Sequence, residues 1–449
     1  MTKLEKVVLV VSILASFVAF LDSSVVNVAL PAISKNLGGG LITQQWVVDA
    51  YLITLGSFIL IAGSLSDLFG RKLILSIGLI GFGVTSILCA IAPNSLFLII
   101  ARGLQGLAGA LLVPSSLALI ISTFSGQAQG KAIGTWTAWT GISFIIGPLL
   151  GGFLVDAVSW RLIFAINILP IAACLLIIKS ITKPEQNIKA KLDIPGAALC
   201  SFGLSGVVFA LIEQPHYGWS SISILLPLIL GLISLIIFIY SEQNNPNAML
   251  PLSLFKVRNF LYGNIATLAI YGGLSIAVFL IIIYLQQVSG YTAFQAGVSL
   301  LPVTIIMFVL SEKFGSLAGK FGPRLFMTVG PIIGGLGFLY MTNMSSHVRY
   351  WTELFPGLLI FAVGLATTVA PLTAAVLGDV EKGRAGIASA VNNAIARIAG
   401  LITIATIGVI IGIHLDQASF HKAIKYTAAL VILGGVISFI GIRNKKITS

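Results

Sequence analysis

Four ionisable side chains stand inside stretches of sequence that are otherwise apolar. They are Asp22 in FLDSSVVNVALPAI, Asp49 in QQWVVDAYLITL, Arg102 in LIIARGLQGLAGALLVPSS and Arg397 in VNNAIARIAGLITIA. A fifth, Glu213, lies near the end of another such stretch, where interfacial water can solvate it. A charge at the centre of a membrane-spanning helix costs about 2.5–3.5 kcal/mol, so each is a candidate for chemistry. A carboxyl in apolar surroundings can hold a proton to near-neutral pH. Loading that proton in one conformation and releasing it in another is the minimum for coupling. Asp22 fits such a role; it equally fits a structural one, hydrogen-bonded by Asn27 or a neighbouring helix. A guanidinium stays charged, so Arg102 needs water or a partner, and Gln105 follows one turn on along nearly the same face. Arg102 therefore serves a proton or substrate route, or forms a static pair with an aspartate. Asp49 falls in the first turn of its stretch, where it faces a cavity or caps a helix start. Arg397, with Asn392 and Asn393 about one turn earlier, is expected to line a polar seam between helices. Asn27, Tyr51 and Gln105 join these three as candidates for lining a substrate cavity.

Other chemistries find no constellation. His216, His347, His414 and His421 fall in or near loops, and no pair has metal-ligand spacing with a carboxylate partner. Cys89, Cys174 and Cys200 lie in apolar runs and read as small core residues. There is no phosphate-binding P-loop, no convincing Ser-His-Asp set and no zinc-protease motif. The expectation is a protein that is not an enzyme, binds no metal, uses no cofactor and is not driven by ATP bound in this chain.

The elements that must position these groups follow from composition. Hydrophobic residues make up 57% of the 449, charged residues only 9%, and mean hydropathy is +1.05. Soluble domains carry about 25% charged residues. Lipid is the solvent that suits such a chain, and it allows only helices or closed barrels. The apolar runs last roughly 20 residues without strand alternation, as spanning helices require. Spans are expected near 7–33, 46–66, 73–92, 96–122, 130–156, 161–178, 194–213, 221–240, 260–286, 293–311, 325–342, 351–378, 385–413 and 423–441. The apolar run after Met1 passes through Asp22 with no small-residue cleavage site, so it reads as a retained first span. Of the 26 Lys and Arg, 19 fall on one side of this topology, five on the other and two within spans. That is the positive-inside bias; it accounts for the net charge of +12 without a nucleic-acid partner. It places both termini in the cytoplasm, with the chain in the inner (plasma) membrane.

A repeat organises the spans. Residues 63–78, GSLSDLFGRKLILSIG, align without a gap to residues 315–330, GSLAGKFGPRLFMTVG, with seven of sixteen positions identical. The first copy follows span 2 and the second span 10, an offset of eight where six-helix halves would give six. Two helices are therefore inserted, at about 194–240. The expected organisation is an N-terminal six-helix bundle over 1–180, a linker with two inserted helices over 181–258, and a C-terminal six-helix bundle over 259–449. Inverted or parallel repeats of this kind are common in transporters. The loop residues Gly63, Asp67, Gly70, Arg71 and Lys72 form a gate latch or a plain topology signal. The gapless echo favours the latch, although Gly319 replaces Asp67 in the second copy. In the fifth span, Gly147-Pro148 and Gly151-Gly152 permit a bend and close packing. Gly103, Gly106 and Gly109 give span 4 a smooth face.

At these residues the chain resembles the major facilitator superfamily, specifically its fourteen-helix drug:proton antiporters. LDSSVVNVALP resembles that family's span 1 signature, with Asp22 at the acidic position. GSLSDLFGRK is close to the loop 2–3 motif, and LIIARGLQGLAGA is similar to the span 4 motif with Arg102 as its arginine. SFIIGPLLGG resembles the antiporter motif of span 5, with Ser143 where a glycine is expected. SWRLIFAINILP resembles the start of span 6, and the Asn392–Arg397 stretch that of span 13. The resemblance implies an all-α fold of two six-helix bundles with two extra helices, rocking about a central cavity. It implies export of amphipathic small molecules driven by inward proton flow, with Asp22 and Arg102 in coupling and Asp67 and Arg71 in a cytoplasmic gate.

The leading expectation is thus a proton-coupled drug exporter, functional as a monomer in the lipid bilayer. Export of an endogenous metabolite or lipid-like compound is a second reading in the same class. A non-transporting membrane sensor is a third, in a different class. On the first reading, Asp22→Asn abolishes proton-driven efflux and leaves folding intact.

Overall fold

A computed structural model of the chain describes residues 1–181, 192–245, 247–381, 384–412 and 415–444, and only the backbone of Asp67, Asn244 and Ala385. The described residues contain helices and no strand. Among the described residues, thirteen helices are long and apolar enough to cross a membrane, and Leu162–Ile178 is a shorter apolar segment. The expected fourteen spans are therefore all present, one of them short and broken.

Capping side chains and glycine turns set the ends of the helices. Helix α1 (Lys3–Leu37) starts at a capping box in which Thr2 and Glu5 satisfy each other's backbone N–H. Helix α2 is Gly40–Phe69 and α3 is Arg71–Ala90. Helix α4 (Ser95–Thr123) starts where the Asn94 side chain accepts from Phe97 N at 2.8 Å. Helix α5 is Gly126–Ala157. The sixth span is two pieces, α6 (Leu162–Ala165) and α7 (Ile168–Ile178), with Asn167 at the break. The inserted pair is α8 (Ile194–Tyr217) and α9 (Ile222–Asn244). Then come α10 (Arg258–Gln287), α11 (Ala293–Ser299), α12 (Leu301–Phe321) and α13 (Pro323–Tyr340). A π-helical turn at Tyr350–Leu354 leads into α14 (Phe355–Gly378). The last are α15 (Ala385–Ala405), α16 (Ile407–Ile411) and α17 (Gln417–Gly441).

Contacts divide the chain into two compact units. One comprises Met1–Val207, Leu226–Met249 and Thr292–Gly297; the other comprises Val208–Leu225, Leu250–Tyr291 and Val298–Ser449. The same pairing pattern recurs within each. In the first unit α2 packs on α4, α3 on α4, α1 on α5 and α3 on α7. In the second unit α12 packs on α14, α13 on α14, α10 on α15 and α13 on α17. Numbered from the start of each unit's six spans, these are the same four pairs, so the loop repeat belongs to a repeat of whole helical units.

Candidate functional site

Asp22 and Arg102 meet. Arg102 Nη1 lies 2.6 Å from Asp22 Oδ2, with both side chains buried. The same nitrogen donates to Gln105 Oε1 at 2.7 Å, and Arg102 Nε donates to the carbonyl of Val47 at 3.0 Å. Gln105 Nε2 donates to Asp22 Oδ1 at 3.1 Å and to Ser86 Oγ at 2.9 Å. Asn167 Nδ2, from the break between α6 and α7, donates to Asp22 Oδ1 at 3.0 Å. The Tyr51 ring lies under the guanidinium, 4.3 Å from its carbon, a cation–π contact. Helices α1, α2, α3, α4 and the α6–α7 break thus converge on one ion pair. In so dry a place the pair gains little over an apolar core, but removing one partner strands the other charge at a cost of about 3–5 kcal/mol. Of the two readings open for Arg102, the geometry is that of the aspartate pair.

Glycines let these helices come close enough to hold it. A Cβ on Gly106 would collide with the backbone carbonyl of Tyr51 and with Thr54 Oγ1, so α4 lies directly against α2 there. Thr54 Oγ1 also donates to Gly103 O at 2.7 Å across the same contact. A Cβ on Gly147 would strike Ser24, and one on Gly151 would strike Val25, so α5 lies equally close to α1. Gly147 and Gly151 therefore allow α5 to pack closely on α1.

Asp49 is placed differently from its expectation. Helix α2 begins at Gly40, so Asp49 is in its third turn and caps no helix start. It is fully buried, and among the described residues neither carboxylate oxygen has a hydrogen-bond partner. Gln44, also fully buried, has both amide atoms without partners. Buried polar groups are ordinarily satisfied, and a lone buried charge is far more costly than a neutral group. Asp49 is thus a buried carboxyl that the described residues leave unsatisfied.

A family model described as Major Facilitator Superfamily matches residues 12–404. The chain belongs to the Major Facilitator Superfamily. It is a multi-pass membrane transporter, not an enzyme. It is similar to the multidrug resistance protein Stp of Mycobacterium tuberculosis, 34% identical over 96% of this chain and 82% of that one. It is similar to the methylenomycin A resistance protein of Bacillus subtilis, 33% identical over 93% of this chain and 89% of the relative. Among solved structures, the peptide transporter POT in complex with sulfate superposes with a TM-score of 0.72 at 15% identity, over 96% of this chain and 94% of that one.

The superfamily motifs read from sequence fall into place unevenly. Tyr51 and Gln105, expected to line a cavity, are instead buried in the Asp22–Arg102 network. Asn27 Nδ2 donates within its own helix, to Ser23 O at 3.2 Å. Asn392 Nδ2 bridges α15 to α10, donating to Asn264 Oδ1 and Thr267 Oγ1, each at 2.9 Å. Asn393 is exposed and Arg397 half-buried on the same helix. Ser143 occupies its buried site by turning its hydroxyl back to Thr140 O, and its own carbonyl accepts from Ser24 Oγ at 3.1 Å. The segment 63–72 is not an open loop: residues 63–69 are the end of α2 and Arg71 opens α3, with only Gly70 between them; Gly63 and Arg71 are half-buried and Gly70 is buried. The side chain of Asp67 lies outside the described residues, as does His414.

Three features of this superfamily transporter escaped the sequence reading. Ser86 and Asn167 complete the ion-pair network. Asn36, near the end of α1, accepts from Trp160 Nε1 at 3.2 Å and Arg161 Nη1 at 3.0 Å. Asp193 precedes α8 and accepts from Gly196 N at 3.0 Å and Met249 N at 3.4 Å. Burial acts to raise the Asp193 carboxyl; hydrogen bonds from Glu242, Gly196, Met249 and Asn245 outweigh it and hold the group below the usual carboxylate range. For Ser86 and Asn167 the advance signal was a polar residue type in an apolar run.

Proposed function

We propose that the chain is a proton-coupled exporter of amphipathic small molecules, drugs and antibiotics among them, working by alternating access. The resistance functions named for its relatives support the cargo class. The observation that carries the coupling is the contrast between two buried carboxyls. Asp22 is neutralised by Arg102 and accepts three hydrogen bonds, whereas Asp49 has neither a counter-ion nor a hydrogen bond among the described residues. Asp49 is the acid that takes up and releases the driving proton. Asp22, Arg102 and Gln105 keep the helices around it in register, and the Asp22–Arg102 pair must loosen whenever a proton reaches Asp22.

The proton gradient drives the cycle without a cofactor. The protein lies in the inner (plasma) membrane with both termini cytoplasmic, as the basic loops favour, and acts as a monomer. Purified protein in proteoliposomes tests this reading. An imposed pH gradient is expected to drive uptake of a lipophilic cationic dye by the wild type and not by Asp49→Asn. Gradient-driven transport by Asp49→Asn at the wild-type rate overturns the assignment. Indifference of the wild type to the gradient overturns proton coupling itself. If drug-like compounds are not transported and a metabolite or lipid-like compound is, the second cargo reading takes its place.

A further inference from the structure

The two copies of the repeated loop carry a cation at the same position, and the structure shows both cations doing the same thing. In the alignment of residues 63–78 with 315–330, Lys72 pairs with Arg324. Lys72 Nζ donates to the carbonyls of Ile181 and Lys179, just beyond α7, the sixth span of the first unit. Arg324 Nε donates to the carbonyl of Phe439 at 3.0 Å in α17, the sixth span of the second unit, and its guanidinium lies 4.9 Å from the Phe439 ring. Each contact lies wholly within one unit.

The chemistry at the two places is similar: Arg324 reaches a carbonyl in the last turn of α17, and Lys72 reaches carbonyls one and three residues beyond the end of α7. The last carbonyls of a helix lack intrahelical donors and carry the negative end of the helix dipole. A cation from the first turn of the third helix of the unit meets that need. The preceding glycine is required at both places: Gly70 has φ 96° and Gly322 φ 84°, a region that only glycine enters freely. It turns the chain sharply enough to aim the next residues at the end of the sixth helix. The second unit adds Asn444, whose Oδ1 accepts from Arg324 N at 3.1 Å and whose Nδ2 donates to Phe321 O at 3.2 Å. It also adds Arg258, which donates to Gly441 O and Ile440 O. Proline at 323 replaces Arg71, at a first-turn position where proline costs nothing.

We propose that Lys72 and Arg324 are equivalent positioning residues, each clasping the third helix of its unit to the carbonyl end of the sixth so that the unit moves as one body. The repeated loop is then a brace inside each unit, and the carbonyls need a cation there but no particular one. For Lys72 this replaces the sequence-based expectation of a gate residue with a contact inside its own unit.

The test compares Lys72→Met, Lys72→Arg, Arg324→Met and Arg324→Lys, with hydrogen–deuterium exchange as a readout independent of transport. Lys72→Met is expected to speed exchange severalfold in the last turn of α7 and over 179–181, and Lys72→Arg to restore protection. Arg324→Met is expected to do the same at the end of α17, less strongly because Arg258 and Asn444 remain, with Arg324→Lys restoring it. Dye transport in proteoliposomes is expected to lose turnover severalfold in the Met variants at unchanged KM, with recovery in the conservative ones. Wild-type exchange in both Met variants overturns the clasp. So does a loss in Lys72→Met that Lys72→Arg fails to restore, since the carbonyls would accept from either cation. Altered exchange with no dye transport by any variant or by the wild type leaves the clasp standing and sinks the drug-export reading.

Discussion

At the scale of the residue, the two aspartates of the first unit separate by what surrounds them. Asp22 was expected to tolerate neutralisation with folding intact, and its geometry opposes this. Asp22→Asn leaves Arg102 charged, buried and without a carboxylate, so a loss of about 3–5 kcal/mol is expected, visible as a lowered Tm in detergent. Adding Arg102→Met to Asp22→Asn is expected to recover much of that Tm, because the stranded charge is gone. A double variant no more stable than Asp22→Asn contradicts the stranded-charge explanation. Asp49→Asn strands no partner, so its Tm is expected to equal or exceed that of the wild type while transport is lost. Arg102→Lys keeps the charge but cannot reach Asp22, Gln105 and Val47 O together, so it is expected to fall between the wild type and Arg102→Ala in stability. Both charges of the pair were legible because charge is conspicuous in an apolar run. Their pairing was not, since 80 residues separate them and only the packing of α1 on α4 joins them.

At the scale of the element, most span ends were legible to within a few residues, but the tenth span runs on to Phe321 where 311 was expected, and the last starts at Gln417 where 423 was expected. The second span was expected from about residue 46, yet α2 starts at Gly40, because Gln44 and Gln45 lower the local hydropathy while being buried. That misplaced start is what made Asp49 look like a cap. Ser86 and Asn167 stayed hidden because an uncharged polar residue in an apolar run is common and carries no pairing signal. Glycine contacts give a sharp expectation here. Gly106→Ala must push α4 off the Tyr51 carbonyl, a backbone clash with nowhere to relax. It is expected to lower Tm more than Gly134→Ala, whose Cβ meets nothing within 4 Å.

Helix α17 offers a pH test of a different kind. Asp416 caps it, accepting from Ser419 N at 2.8 Å, and those hydrogen bonds hold the Asp416 carboxyl below the usual carboxylate range. A lowered value stabilises above the ordinary aspartate value of about 3.9, and that stability is lost as pH falls through the lower folded value. Intrinsic-rate-corrected exchange at 417–420 is therefore expected to be flat from about pH 8 to about pH 5 and to rise only in stronger acid. Asp416→Asn, an equally good cap, is expected to remove that acid dependence.

At the scale of the whole molecule, composition and loop charge were enough to read a helical membrane protein, and the loop repeat raised the expectation of two six-span units with two helices inserted. The recurrence of the same helix pairs in both units carries that reading from a loop to the fold. Cargo was not legible, because an apolar side chain facing lipid and one facing a cavity look alike in sequence. The measurement that bears most directly on proton-coupled export is cargo-induced proton flux in proteoliposomes holding a pH-sensitive dye, with no membrane potential. Adding a transported lipophilic cation is expected to move protons in the opposite direction in the wild type and in Asn393→Ala, and to move none in Asp49→Asn although that variant is folded. Cargo movement by the wild type without any proton movement, or undiminished proton movement in Asp49→Asn, would contradict it.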